Sequence, residues 1–89
     1  MNTSDKILIY KALADETRQK IISILKESTV CGCTILEKLE ITQPTLSHHM
    51  KLLCDLKIVS CEKIGKWCHY TLNKNIFIEL ISDLNHLIQ

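Results

Sequence analysis

The segment from Thr42 to Leu56 constrains the fold more than any other part of the chain. Thr42 is a favourable N-cap, and Pro44 falls in the first turn, where a missing backbone N–H costs nothing. Leu46, Met50, Leu53 and Leu56 then repeat at helical spacing and form one apolar stripe. Ser47, His48, Lys51 and Asp55 fall on the opposite side. A short helix over Thr34–Leu39 and a brief turn at Glu40-Ile41 precede it. Two helices across a short turn, the second amphipathic with a polar outer face, is the helix-turn-helix pattern.

The period changes after Leu56. Ile58–Lys63 and Trp67–Leu72 are β-prone runs on either side of Ile64-Gly65-Lys66, and Gly65 supplies turn chemistry for a hairpin. Upstream, a helix is expected from about Ser4 to Leu13, with Ile7, Leu8 and Leu13 on its apolar side. Asp15 caps a second helix carrying Ile21, Ile22 and Leu25, which Glu27-Ser28-Thr29 ends. Asn73 or Asn75 caps a last helix with Ile76, Phe77, Leu80, Ile81, Leu84, Leu87 and Ile88. Its three-and-four spacing approaches a coiled-coil seam, too apolar to face solvent. The expected fold is therefore mainly α with a β-hairpin: four helices, the hairpin and a fifth helix, a winged helix-turn-helix. Residues 1–89 form one domain, with no linker, repeat or low-complexity segment.

Composition narrows the function. A chain of 89 residues has a thin core, yet 46% of its residues are hydrophobic, which implies a second buried face such as a dimer interface. The net charge of +1 excludes a bulk polycation, so nucleic-acid contact has to come from local placement of polar and basic groups. The N-terminus lacks the pattern of a signal peptide, and no run is long enough to span a bilayer; a cytoplasmic, membrane-free protein is expected. Five cysteines, an odd number, are then expected to be reduced thiols. No acid, base and nucleophile fall at catalytic spacing; Cys68 and His69 are neighbours on opposite strand faces. An enzyme is not expected.

A DNA-reading helix needs short hydrogen-bonding side chains near its start and cations farther along. Gln43, Thr45, Ser47 and His48 suit the first role, with Gln43 able to pair bidentately with adenine, Lys51 suits the second, and Thr42 at the helix start is a further candidate DNA contact. Lys63 and Lys66 flank the hairpin turn, placed to touch backbone or minor groove. A merely solvated polar helix face is the competing reading, and the hairpin that follows weighs against it. His49 lies on the side of Leu46 and Leu53 and reads as structural; Trp67 reads as hairpin packing.

Cys31 and Cys33 form a Cys-X-Cys at the start of the first helix of the pair. Two thiolates so close suit a soft, thiophilic ion. On a regular helix, side chains two apart diverge by about 200°, so sharing a ligand needs a distortion that Gly32 is expected to permit. Their place in a frayed first turn, at the positive helix end, favours thiolate. The plainer alternative is that both are small apolar fillers.

The run Lys11-Ala12-Leu13-Ala14-Asp15-Glu16-Thr17-Arg18, followed by Thr42-Gln43-Pro44-Thr45-Leu46-Ser47-His48-His49-Met50-Lys51-Leu52-Leu53, resembles the ArsR family of metal-responsive repressors. The resemblance covers nearly the whole chain. It implies homodimers joined through the first and last helices, a palindromic double-stranded operator, and release of the DNA by an inducer. His48 stands where many relatives carry Arg or Gln, which bears on operator sequence. Cys31 and Cys33 are placed like the first two thiols of the family's arsenical-sensing Cys-Val-Cys-Asp-Leu-Cys, with Leu36 in the place of the third. The implied inducer is a trivalent arsenic or antimony species, inorganic or organic. A third sulfur could come from Cys54, Cys61 or Cys68, from an exogenous ligand, or be unnecessary for an organoarsenical. Asp83 and His86 alone fall short of a zinc site on the last helix. Two other readings remain open at this level: a thiol-redox-sensing repressor, and a helical interaction module without DNA.

Overall fold

A computed structural model describes residues 1–89. Its order is α1 (Thr3–Leu13), α2 (Glu16–Leu25), β1 (Val30–Cys31), α3 (Gly32–Leu39), α4 (Gln43–Asp55), β2 (Val59–Ile64), β3 (Trp67–Leu72) and α5 (Lys74–Leu87). The five helices and the hairpin occupy the expected places. One element is new: β1 adds to the hairpin, giving a three-stranded antiparallel sheet in the order β1-β3-β2. Two residues leave no period-two signal, so β1 has no sequence signature.

Each helix starts on a side chain that satisfies an otherwise orphaned N–H. Asn2 accepts from Asp5, Asp15 from Arg18, Thr42 from Thr45 and Asn73 from Asn75. The two turns bracketing α4 both use a non-glycine residue in the left-handed region, Glu40 (φ 53°) before it and Lys57 (φ 61°) after it. The Glu40 N–H closes α3 onto the Leu36 carbonyl, while the Lys57 and Ile58 N–H groups close α4 onto the Cys54 and Leu53 carbonyls. Gly65 (φ 66°) occupies the first position of the two-residue hairpin loop, as a II′ turn requires.

The core joins Ile9 and Ala12 of α1, Ile21 and Leu25 of α2, and Ile35 of α3 to Leu46, Met50 and Leu53 of α4. Ile58, Val59, Tyr70 and Leu80 complete it. In α1 the apolar side differs from the expected one. Ile9 and Ala12 face the core, whereas Ile7 and Leu8 are exposed, about half accessible in the single chain. Both faces of this helix carry apolar residues, so sequence periodicity alone could not say which turns inward. On α5 only Leu80 is buried; Ile78, Ile81, Leu84 and Leu87 are exposed. Lys6 and Tyr10 tie the two terminal helices together, both bonding the Asp83 carboxylate at 2.8 Å. No helix is long and apolar enough to cross a membrane.

Candidate DNA-reading surface and thiol site

Helix α4 is fixed from its inner side. Leu46, Met50 and Leu53 are buried, and the half-buried His49 meets the α1–α2 corner through Arg18 Nη1, 3.1 Å from His49 Nδ1. A guanidinium only donates, so Nδ1 accepts and the ring is neutral. Burial pushes the His49 pKa down, the Asp15 charge partly opposes this, and the Arg18 charge adds to the lowering. Arg18 is itself held: its Nε donates to the Ala12 carbonyl at 2.6 Å, and its backbone N–H donates to Asp15 at 3.0 Å. That N–H bond is the main reason the Asp15 carboxyl sits below the usual carboxylate range. His49 is structural, as its position in the stripe suggested.

The outer side presents Gln43, Thr45, Ser47, His48 and Lys51, all exposed, with Thr42 exposed at the helix start. The Thr42 hydroxyl donates to that of Thr45 at 2.8 Å and accepts from its N–H at 3.4 Å. The two hydroxyls therefore form one polar platform at the first turn. Lys51 reaches Asp55 at 3.2 Å, an exposed i,i+4 pair that a phosphate could readily replace. Lys63 and Lys66 are exposed on the hairpin, on opposite sides of its turn.

Cys31 and Cys33 come together in a way the sequence argument did not foresee. Cys31 is not in the helix; it is the extended N-cap residue of α3, with φ −66° and ψ 140°. Its sulfur therefore turns back over the first helical turn, as a capping oxygen does. It accepts from the Cys33 N–H at 3.4 Å and from the Cys33 thiol at 2.6 Å, both cysteines being free. The Cys33 thiol's donation, helped by the Cys33 and Thr34 N–H groups, holds Cys31 below the ordinary thiol range. The same contact pushes Cys33 up, so Cys31 is the first of the pair to ionise. Gly32 is not the hinge expected of it. Its φ is not positive, and a Cβ there would lie 3.3 Å from the Tyr70 ring and 3.4 Å from the Cys68 carbonyl. This glycine lets α3 start against β3; the cap, not a flexible residue, converges the sulfurs.

Sheet register separates the cysteines into two groups. Cys31 pairs with His69 on β3, so the half-buried imidazole shares a sheet face with Cys31 while Cys68 faces the other way. The sequence offered His69 only as a neighbour of Cys68, because its proximity to Cys31 exists only through β1. Cys61 pairs with Tyr70, which places Cys61, Cys68 and Tyr70 on the second face, beneath the end of α4 that carries Cys54. Leu36, in the place of a third sensing thiol, packs against the core. As the side chains stand, no three His, Cys, Asp or Glu residues converge on one point that would hold a metal ion. Asp83 is committed to Lys6 and Tyr10, which leaves the last helix still poorer as a zinc site.

Comparison with known proteins fits this geometry. The chain is 39% identical to the arsenical resistance operon repressor of Staphylococcus aureus over 85 residues, covering 96% of this chain and 82% of that protein. Its fold is similar to that of HlyU from Vibrio cholerae, with a TM-score of 0.79 at 27% identity over 97% of this chain and 94% of that one. An ArsR-family transcriptional regulator superposes with a TM-score of 0.87 at 20% identity, covering 93% of this chain and 91% of that one. Residues 15–60, from the cap of α2 into β2, match the family described as bacterial regulatory proteins of the arsR family. The chain is therefore a winged-helix member of the ArsR family, a transcriptional regulator and not an enzyme.

Proposed function

We propose that this regulator is a cytoplasmic repressor that binds a palindromic operator as a homodimer and leaves it when a trivalent arsenical or antimonial binds Cys31 and Cys33. The convergence of these two sulfurs at the N-cap of α3 is the observation that carries the reading. Condensation of an organoarsenical bearing two hydroxyls with the two thiols forms two As–S bonds and releases two waters. Arsenite itself would keep one hydroxyl or take a further ligand. Either way the ligand occupies the lone pairs of the sulfur that caps α3. The cap is lost or re-aimed, and α3 is joined to α4 by only Glu40, Ile41 and Thr42. A change at the first turn of α3 is thus delivered to the helix that would read the DNA.

On the DNA, Gln43, Thr45, Ser47 and His48 read base edges in the major groove. Thr42 and Lys51 hold phosphates, and Lys63 and Lys66 on the wing contact the flanking backbone. The homodimer forms through α1 and α5, which leave Ile7, Leu8, Ile78, Ile81, Leu84 and Leu87 exposed on the single chain. The similar Staphylococcus aureus protein is named for arsenical resistance, which supports the inducer class. A thiol-redox sensor is less well supported, because a disulfide within Cys-X-Cys is strained, Cys61 and Cys68 lie on the opposite sheet face, and Cys54 lies on α4.

The test is DNA binding by fluorescence anisotropy, with an operator selected from random duplexes, during titration with arsenite and methyl- or aryl-arsenicals. The wild-type protein should release DNA, and the Cys31→Ser, Cys33→Ser double variant should bind DNA but not respond. A double variant that releases DNA at the same arsenical concentration overturns the reading.

A further inference from the structure

Three thiols remain outside that mechanism, and the fold collects them. Cys54 lies in the last turn of α4, Cys61 on β2 and Cys68 on β3, so three separate elements each contribute one sulfur. Cys61 is paired with Tyr70, and Cys68 is two residues from Tyr70 on the same strand, which makes the two cysteines diagonal neighbours on one face of the hairpin. Cys54 and Cys61 both line a cavity of about 260 Å³, together with Ser47, Met50, Lys51, Asp55 and Tyr70, and Cys68 lies beside it on the same hairpin face. Cys54 and Cys68 are half-buried, and Cys61 is exposed at the rim. As they stand the three thiols do not converge on one point, and each has a single side-chain torsion by which a ligand would draw it in.

We propose that Cys54, Cys61 and Cys68 form a second thiol site, for a trivalent metalloid hydroxide, that fastens the recognition helix to both strands of the wing. The ligand class follows from charge. Three thiolates around a divalent cation would leave a net negative charge in a partly desolvated cavity. Arsenite instead condenses with three neutral thiols: three S–H and three As–OH bonds are consumed, three As–S bonds form and three waters leave. The product is uncharged, and no oxidant or base is required. The surroundings favour the neutral thiols this needs. Burial, with the neighbouring Cys68 and Asp55, pushes Cys54 up, and burial with the Cys68 contact pushes Cys61 up to about 11. The soft sulfur set selects the same ligand class.

This inference does not depend on Cys31 and Cys33 being the trigger. The experiment is native mass spectrometry of the reduced Cys31→Ser, Cys33→Ser protein titrated with arsenite alone, with a phosphine as reductant so that no other thiol competes. The expected result is one arsenic per protomer, with a mass gain of one arsenic less three hydrogens. Adding Cys61→Ser, at an exposed position that leaves the core intact, should weaken binding at least about tenfold, since even outer-shell changes around a metal cost that much. Adding Cys68→Ala instead should do the same. No bound arsenic, fewer than three hydrogens displaced, or binding indifferent to Cys61 and Cys68 would each overturn the site. DNA release is not the readout, so loss of this site and loss of the Cys31–Cys33 trigger are separately visible.

Discussion

Helices α4 and α5 are nearly the same length, 13 and 14 residues, and both are amphipathic, but they spend their outer faces differently. The α4 helix buries Leu46, Met50 and Leu53 and turns threonine, glutamine, serine, histidine and lysine outward. The α5 helix buries only Leu80 and turns isoleucine and leucine outward. One surface has the polarity to meet hydrated phosphates and base edges; the other gains by leaving water altogether. The two helices are also tied down by different chemistry. A neutral imidazole holds α4 to the α1–α2 corner, and an ionised carboxylate holds α5 to α1.

This contrast can be broken most severely at α5. If the proposed homodimer forms through α5, Ile81→Glu with Leu84→Glu should leave the protein monomeric by placing unpaired charges in that interface, at a cost of about 3–5 kcal/mol or more. Light scattering across a concentration series would detect this. A dimer that persists would mean that the exposed α5 face is not the interface. The equivalent change on α4 should leave assembly untouched: Gln43→Ala should weaken operator binding by about 1–3 kcal/mol and relax preference at one base position. Binding titrations on operator variants test this, and a uniform loss across all sequences would reassign Gln43 to a phosphate.

Smaller effects sharpen the same comparison. Thr42→Ala removes the cap of α4 and should lower stability by about 1 kcal/mol, read as a shifted urea midpoint with an unchanged slope. Acid should loosen the two ties in different ranges. The folded-state pKa of His49 is depressed, so its contribution is complete above the ordinary imidazole value and declines as pH falls below about 6.5. Asp83 is also depressed, held down by Lys6 and Tyr10, so its contribution is complete above the ordinary carboxylate value and is lost only in stronger acid. Between these ranges, urea unfolding should show stability falling with pH in the wild type and a flatter profile in His49→Phe. The least effect is expected at the wing tip, where Lys66→Ala should reduce the salt slope of DNA binding by about one while barely changing sequence preference.

Much of α4 was legible because several local signals agree there. The Thr42 cap, Pro44 in the first turn and the Leu46–Met50–Leu53 stripe all specify one helix with one inner face. The hairpin was legible for a similar reason, through Gly65 between two β-prone runs. What escaped the sequence depends on contacts made at a distance. The strand Val30–Cys31 exists only because β3 accepts it, and with it came the neighbourhood of His69 and Cys31. Cysteine is not an ordinary helix cap, so the convergence of Cys31 and Cys33 was traced to Gly32 when it lies in the cap itself. The grouping of Cys54, Cys61 and Cys68 required the register of β2 on β3, which residue spacing does not encode.

The left-handed residues at Glu40 and Lys57 have a practical consequence. They end the neighbouring turns through backbone geometry and main-chain hydrogen bonds, outside the stretch from Gln43 to Lys51 that carries the exposed side chains of α4. Helix α4 is thereby a cassette with fixed borders. Its outward side chains can be exchanged for those of another regulator, position for position, without resetting where the helix begins or stops. Replacing Gln43, Thr45, Ser47 and His48 here, or grafting them onto a related scaffold, is then a way to alter the outer face while the helix keeps its borders.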